Sequence, residues 1–282
     1  MKIIFVCTGN TCRSPMAEGY LKSKRIPNLT VKSRGLSLGG DAVSENSAEI
    51  MEEIGIDIKD HISKGLSPKD LDADLFIAMT ESHALTLKSI GISGDKIKVL
   101  GEGISDPFMQ PLPVYRDCRN QITDNIDNLI YGGLIGGISV READTFDIPK
   151  IAKLEKENFS LPWSENAILE SMEQKTLFLV AEKDGNIIGY MGLTMILDEG
   201  YVTNVAVSKD FRKMGVGTLL MNKAIDSAFL KGLSFISLEV RASNQSAISL
   251  YERLAFKKEG LRKNFYDNPK EDAIIMTRRF NF

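Results

Sequence analysis

Two short segments carry residues whose types and spacing can do chemistry. The first is Cys7-Thr8-Gly9-Asn10-Thr11-Cys12-Arg13-Ser14, between an apolar run and a helical pattern. A loop that closes onto a helix N-terminus points several backbone N–H groups inward and forms an anion nest. Gly9 and Asn10 tolerate the positive φ angles such a loop needs. Arg13 can close the ring with a bidentate grip on two phosphoryl oxygens. Thr8 through Ser14 are therefore the candidate phosphate-binding set. Cys7 stands at the base of this positive well, which favours its thiolate. A thiolate facing a bound phosphoryl group is a nucleophile in line for displacement. The leaving group then needs a proton, and Asp106, in Asp106-Pro107-Phe108 on a loop after an expected strand, is the natural donor. It would next act as base on the water that hydrolyses the thiophosphate intermediate. Phe108 would wall the slot.

The second segment is Val205-Ala206-Val207 followed by Arg212-Lys213-Met214-Gly215-Val216-Gly217-Thr218. A strand ends and Arg-x-x-Gly-x-Gly opens a long helix. Glycines let the backbone approach a pyrophosphate, whose charge meets the helix N-terminus. The edge at Val205–Val207 can pair with the amide-rich arm of a pantetheine chain. Read alone, the pattern fits an ordinary surface turn equally well. Lys213 keeps a charge beside the turn but offers no bidentate fork.

The elements that must position these segments follow from periodicity. In the first half, expected strands are Lys2–Cys7, Thr30–Ser33, Leu75–Ala78 and Lys96–Val99. Helical patterns fall from Ser14-Pro15 to Lys24, with proline at the first helical position, and at 45–54, 82–90 and 114–130. That order is α/β, a small doubly wound parallel sheet with a site at the carboxyl ends of its strands. Gly132-Gly133-Leu134-Ile135-Gly136-Gly137 breaks any regular element. It is read as a linker (132–137) between a domain at 1–131 and one at 138–282, with Leu134 and Ile135 resting on one of the two. The second half reads as strand 138–142, helices 148–158 and 165–172, and strands 177–183, 186–195 and 200–207. Helix 216–231, strand 235–240, helix 245–254 and strands 256–265 and 272–278 follow. The pair Asp184-Gly185 signals a hairpin. This is an α+β domain on a mixed, mostly antiparallel sheet.

Composition sets the outer bounds. The 282 residues suffice for two domains at ~100–200 residues each. Apolar residues make up 43% and charged residues 26%, and the net charge is −3, with neither half basic enough for a nucleic-acid footprint. No apolar run approaches the ~18 residues of a membrane span, and the apolar start is too short for a signal peptide. The expectation is a cytoplasmic protein with no membrane association. Three cysteines in such a chain argue against structural disulfides.

The first motif, its strand-before and Ser-Pro-helix-after context and the downstream Asp-Pro loop resemble the low-molecular-weight protein phosphatases over about residues 1–131. The resemblance implies the roles given to Cys7, Arg13 and Asp106, and a supporting network in which Asn10, Ser14, Ser33 and His61 hold loop and thiolate. Thr11 and Phe108 are closer to the bacterial protein-arginine phosphatases, so phosphoarginine is favoured over phosphotyrosine. Residues 138–282 resemble the GNAT acetyltransferases, and within them the ribosomal-protein-alanine N-acetyltransferases. The segments that carry this are 161–165, 238–244, 247–252 and 271–276. That likeness implies acetyl-CoA as co-substrate, Glu239 as general base for the substrate α-amine, Tyr251 as the acid that protonates the departing thiolate, and Asn244 as a partner of the pantetheine arm. Trp163 is read as packing. Neither reaction calls for a metal. The implied partners are a ribosomal-protein N-terminus and phosphorylated protein side chains. Two other readings stay open: an acetyltransferase with a weakly active phosphatase-like binding module, and a small-molecule amine acetyltransferase.

Overall fold

The structure is a computed structural model and describes residues 1–37 and 39–280. The chain divides into two compact units, Met1–Ile130 and Tyr131–Phe282.

In the first unit, β1 (Lys2–Cys7) reads IIFV at its centre, and Ile3, Ile4, Phe5 and Val6 are all fully buried. A run apolar on every residue suits a strand covered on both faces, the situation of a parallel sheet. β1 pairs in parallel with β2 (Thr30–Gly35) on one side and β3 (Leu75–Ala78) on the other. β4 (Ile97–Val99) extends the order to β2-β1-β3-β4. The chain turns opposite ways from β1 to reach its two neighbours. The crevice of such a sheet therefore opens at the carboxyl end of β1, where Cys7 sits. The helices are α1 (Arg13–Ser23), α2 (Glu45–Glu52), α3 (Glu81–Ser89) and α4 (Leu112–Tyr131).

Most boundaries fall where periodicity puts them, and two differ for identifiable reasons. α1 begins at Arg13, not at Ser14-Pro15. The phosphate loop has already entered its first helical turn, with Met16 N–H donating to Cys12 O at 3.3 Å, so Pro15 is the third helical residue. β2 runs on to Gly35 because Leu36 and Ser37 continue alongside the loop, donating to Cys7 O and Thr8 O at 3.0 Å each.

In the second unit, seven strands form the order β10-β11-β9-β8-β7-β6-β5. They are β5 (Ser139–Glu142), β6 (Leu177–Lys183), β7 (Asn186–Ile196), β8 (Glu199–Val207), β9 (Phe235–Arg241), β10 (Lys257–Tyr266) and β11 (Glu271–Arg279). All neighbours are antiparallel except β8 and β9, which run parallel. Helices α5 (Ile148–Asn158), α6 (Glu165–Glu173), α7 (Val216–Leu230) and α8 (Gln245–Arg253) complete the unit. A core joins Ile151, Ile168, Phe178, Val180 and Tyr190, with Trp163 packed against it edge-on to Phe178. Residues 132–137 make a turn in which Gly132 bridges to Ser139 and Gly137 N–H donates to Gly133 O. Ile135 is buried but Leu134 is 43% exposed, so the two do not act as the apolar pair expected.

One close approach is set by a glycine. A Cβ on Gly35 would lie 2.9 Å from Thr8 O and 3.2 Å from Gly9 C, backbone atoms that cannot yield. Gly35→Ala is expected to destabilise the first unit by about 1–3 kcal/mol and to displace the phosphate loop. Thermal unfolding and aryl-phosphate turnover of the variant check both effects.

Candidate functional sites

The loop after β1 is organised by one buried amide. Asn10 is completely buried and has the left-handed φ of +56°. Its Nδ2 donates to Ser14 Oγ at 2.9 Å and to Ser33 Oγ at 2.8 Å. Its Oδ1 accepts the Lys64 backbone N–H at 2.8 Å and lies 3.2 Å from His61 Nε2. A backbone N–H can only donate, which fixes the amide's orientation. Ser33 Oγ in turn donates to Glu18 Oε2 at 2.5 Å. Ser14 Oγ, already accepting from Asn10, lies 3.0 Å from Cys7 Sγ, and Asn10 N–H points at the same sulfur from 3.2 Å. The sulfur is thus met by a side-chain hydroxyl and a main-chain N–H.

Arg13 is 4% exposed. Its Nη1 donates to Ile104 O at 3.0 Å and its Nη2 to Asp106 Oδ2 at 2.5 Å. Its Nε is buried with no acceptor, an orphan donor of the kind a phosphoryl oxygen satisfies. The N–H groups of Gly9, Thr11 and Cys12 also have no acceptor among the described residues. Asp106 Oδ1 accepts Phe108 N–H at 3.2 Å, so the acid candidate is held from both sides. Cys7, Thr8, Gly9, Thr11, Cys12, Arg13, Asp106 and Phe108 line one cavity of about 550 Å³. Ser33 and His61 stand behind the loop and touch it through Asn10.

Several participants are not legible in the motif. Ser37, Asp41, Ala42 and Ser44 form the opposite wall. Tyr115 accepts from Ser44 Oγ at 3.2 Å and lies 3.7 Å from Cys12 Sγ. His83, buried at the start of α3, contacts Thr8 Oγ1 through Nε2 at 2.9 Å and Thr80 Oγ1 through Nδ1 at 2.7 Å. Its one available signal was position, since α3 starts directly after β3 at the carboxyl edge of the sheet. The third thiol, Cys118, is pushed up to about 12 by burial and stays protonated. All three cysteines are free.

The second unit builds its site by letting two strands part. β8 and β9 pair only over Glu199–Tyr201 and Phe235–Ser237. Beyond that point β8 keeps its ladder to β7, with a register shift between Met191 and Leu193, and its other edge is unpaired. Val205, Ala206 and Val207 lie on this open edge. The chain then turns through Lys213 (φ +64°) and Gly215 (φ +91°) into α7, which no side chain caps. The first N–H groups of a helix have no partner within it, so Val216, Gly217 and Thr218 present free donors. Met214 is 43% exposed at the turn. Arg212 braces the bend by donating to Val207 O at 3.3 Å and Asn158 Oδ1 at 2.7 Å. A Cβ on Gly217 would come within 3.2 Å of Leu250, so this glycine also admits α8.

Glu239 lies on β9 beyond the point of divergence and pairs with Arg262 at 3.4 Å. Tyr251 on α8 is 6% exposed, and burial pushes its phenol well above the usual tyrosine range. Tyr266 donates to Glu239 O at 3.3 Å and interacts electrostatically with Tyr251, so it neighbours both. Asn244 Oδ1 caps α8 by accepting Ala247 N–H at 3.2 Å, which leaves its amide N–H groups for other partners. Glu155, fully buried, is a further residue the motif did not reveal. It accepts from Trp163 N–H at 2.7 Å and Asn204 Nδ2 at 2.6 Å, and burial raises its pKa. No group of three or more metal-ligating side chains occurs among the described residues, and no described helix is long and apolar enough to cross a membrane.

These two geometries define a cysteine-based phosphatase fold and an acyl-CoA-dependent transferase fold. The chain belongs to two families: residues 2–134 match the low molecular weight phosphotyrosine protein phosphatases and residues 144–256 the acetyltransferase (GNAT) family. The second part is 33% identical over 140 residues to the ribosomal protein bS18-alanine N-acetyltransferase of Escherichia coli K12, covering 49% of this chain and 95% of that protein. The first part is 36% identical over 138 residues to a protein-arginine-phosphatase of Geobacillus stearothermophilus, covering 45% of this chain and 93% of that protein. It is also 39% identical over 129 residues to a low molecular weight protein-tyrosine-phosphatase of Staphylococcus haemolyticus, covering 43% and 92%. Members of the GNAT family use acetyl-CoA.

The chain's two histidines, His61 and His83, both lie in the first unit. Burial lowers each below the ordinary 6.5, and Arg13 adds to the effect at His83. The fold thus holds both neutral, while the unfolded chain takes up protons first as pH falls. Their contribution is complete above about 6.5 and is lost on acidification through the lower folded values. The expected result is a falling unfolding midpoint between pH 7 and 5.5. A His61→Gln, His83→Gln double variant should show a flatter dependence in the same thermal scans.

Proposed function

We propose that the chain carries two independent enzymes. The first removes phosphate from phosphorylated arginine or tyrosine side chains of proteins, with phosphoarginine preferred. The observation that supports it is Cys7 Sγ held by two donors beside a buried arginine with an orphan Nε. Arg13 and the loop N–H groups hold the phosphoryl oxygens. Cys7 attacks phosphorus, the bond to the leaving nitrogen or oxygen breaks, and Asp106 supplies the proton that atom needs. For this Asp106 must release Arg13, whose guanidinium the phosphoryl group then takes over. Water next attacks the cysteinyl phosphate with Asp106 as base, freeing phosphate and the Cys7 thiolate. Ser14 and Asn10 stabilise that thiolate, Thr8 through Cys12 supply the cradle, and Ser33 and His61 support it.

The second enzyme transfers acetyl from acetyl-CoA to the N-terminal alanine of a small-subunit ribosomal protein. The unpaired edge of β8 beside an uncapped α7 supports this. Val205, Ala206 and Val207 hold the pantetheine arm together with the Asn244 amide. Lys213, Met214, Gly215, Val216, Gly217 and Thr218 receive the pyrophosphate. Glu239 takes the proton from the substrate α-amine, the new C–N bond forms as C–S breaks, and Tyr251, a phenol that burial keeps protonated, gives its proton to the departing thiolate. The two enzymes act as separate domains in the cytoplasm, and residues 132–137 join them.

Cys7→Ser in the full chain is expected to abolish aryl-phosphate turnover and leave acetyl transfer to an alanine-starting peptide at the wild-type rate. Residual phosphatase activity would show that the nucleophile is another group. Conversely, Glu239→Gln should lower acetyl transfer by roughly 10²–10⁴-fold with phosphatase activity retained. Offering polyamines beside alanine-starting peptides tests the acceptor class, and preference for the polyamine would overturn the assignment.

A further inference from the structure

We propose that Asp41 selects the phosphatase substrate: its carboxylate receives the cationic guanidinium of a phosphorylated arginine and disfavours the aryl phosphate of tyrosine. This rests on the phosphatase reading above. Two carboxylates line the cavity, Asp41 and Asp106. They differ in what they already hold. Asp106 is engaged by Arg13 and by Phe108 N–H. The Asp41 carboxylate is exposed and has no hydrogen-bond or ion-pair partner among the described residues. It is therefore a free negative charge on the wall of a cavity built to take a negative group.

Its position is fixed despite its exposure. Asp41 N–H donates to Ser63 Oγ at 3.0 Å, and Asp41 O accepts Ser63 N–H at 2.8 Å. Gly40 N–H reaches Ser63 O at 2.9 Å, and Ala42 bridges to Ile62. Gly39 lets this segment lie flat, since a Cβ there would come within 2.2 Å of Ser63 O. A carboxylate held on a pinned backbone discriminates, because it cannot swing away from an unwanted partner.

The chemistry then separates the two substrate classes. A phosphorylated guanidinium carries positive charge and several N–H donors next to its phosphoryl group, and a carboxylate matches that fork. An aryl phosphate offers neither, brings only negative charge, and gains chiefly from apolar walls. The cavity supplies one aromatic wall, Phe108, which is 58% exposed, and otherwise hydroxyls such as Thr11, Ser37 and Ser44.

The test compares Asp41→Asn with wild type, both as the full chain, on three probes: free phosphoarginine, p-nitrophenyl phosphate, and a phosphotyrosine peptide flanked by arginine. The expected result is a fall in kcat/KM for phosphoarginine of roughly three- to thirtyfold and a rise for p-nitrophenyl phosphate. Ser63→Ala, which loosens the segment but keeps the charge, should lower both together. An unchanged ratio between the two small substrates in Asp41→Asn overturns the proposal. A loss confined to the arginine-flanked peptide would assign Asp41 to a neighbouring cation and overturn it too. Wild-type turnover of p-nitrophenyl phosphate without phosphoarginine would sink this inference and leave the phosphatase standing, whereas turnover of neither removes both.

Discussion

A single buried carboxamide carries the architecture of the first site. Asn10 joins the loop bearing Cys7 to α1 through Ser14, to β2 through Ser33, and to the segment after α2 through His61 and Lys64. Without it three elements would each retain a polar group in a dry interior, and a buried donor or acceptor left unmade costs ~1–3 kcal/mol. The same hydrogen bonds give the site its polarity. Because Asn10 donates to the Ser14 hydroxyl, the hydroxyl proton is free to face sulfur, and the loop's own N–H reinforces it. Support of the fold and the hydrogen bonding of the thiol are thus one network.

The second site follows the opposite logic. There a regular arrangement is withheld: β8 and β9 start as neighbours and separate after three residues each. α7 begins at a left-handed glycine without a cap. Unsatisfied main-chain groups that would be a defect in a closed sheet become a row of donors and acceptors along a cleft. Two ionisable groups named above, Glu239 and Tyr251, stand in contrasting surroundings. Glu239 pairs with Arg262, and burial keeps the Tyr251 phenol protonated.

Much of this was readable in the residues, and the reasons are specific. The apolar run at Lys2–Cys7 can only be a strand covered on both sides, so the position of Cys7 at the crevice followed directly. Glycines and the helical pattern after Arg212 located the turn into α7. What escaped were contacts made across large sequence separations. His83 meets Thr8 from 75 residues away, Asn204 meets Glu155 from 49, and Asp41 reaches the cavity only because Ser63 pins its loop. None has a local periodicity or spacing. The start of α1 was misplaced by one or two residues because proline at a helix start is a preference, and the loop's closure on Cys12 overrode it.

The gap between β8 and β9 has a consequence for any attempt to make this chain sturdier. Extending their pairing past Tyr201 would add ladder bonds and close an exposed seam, and a selection for heat resistance alone would reward that change. On the reading proposed for this edge, the tightened sheet would leave a coenzyme no strand to pair with. In this unit robustness and turnover compete for the same backbone atoms.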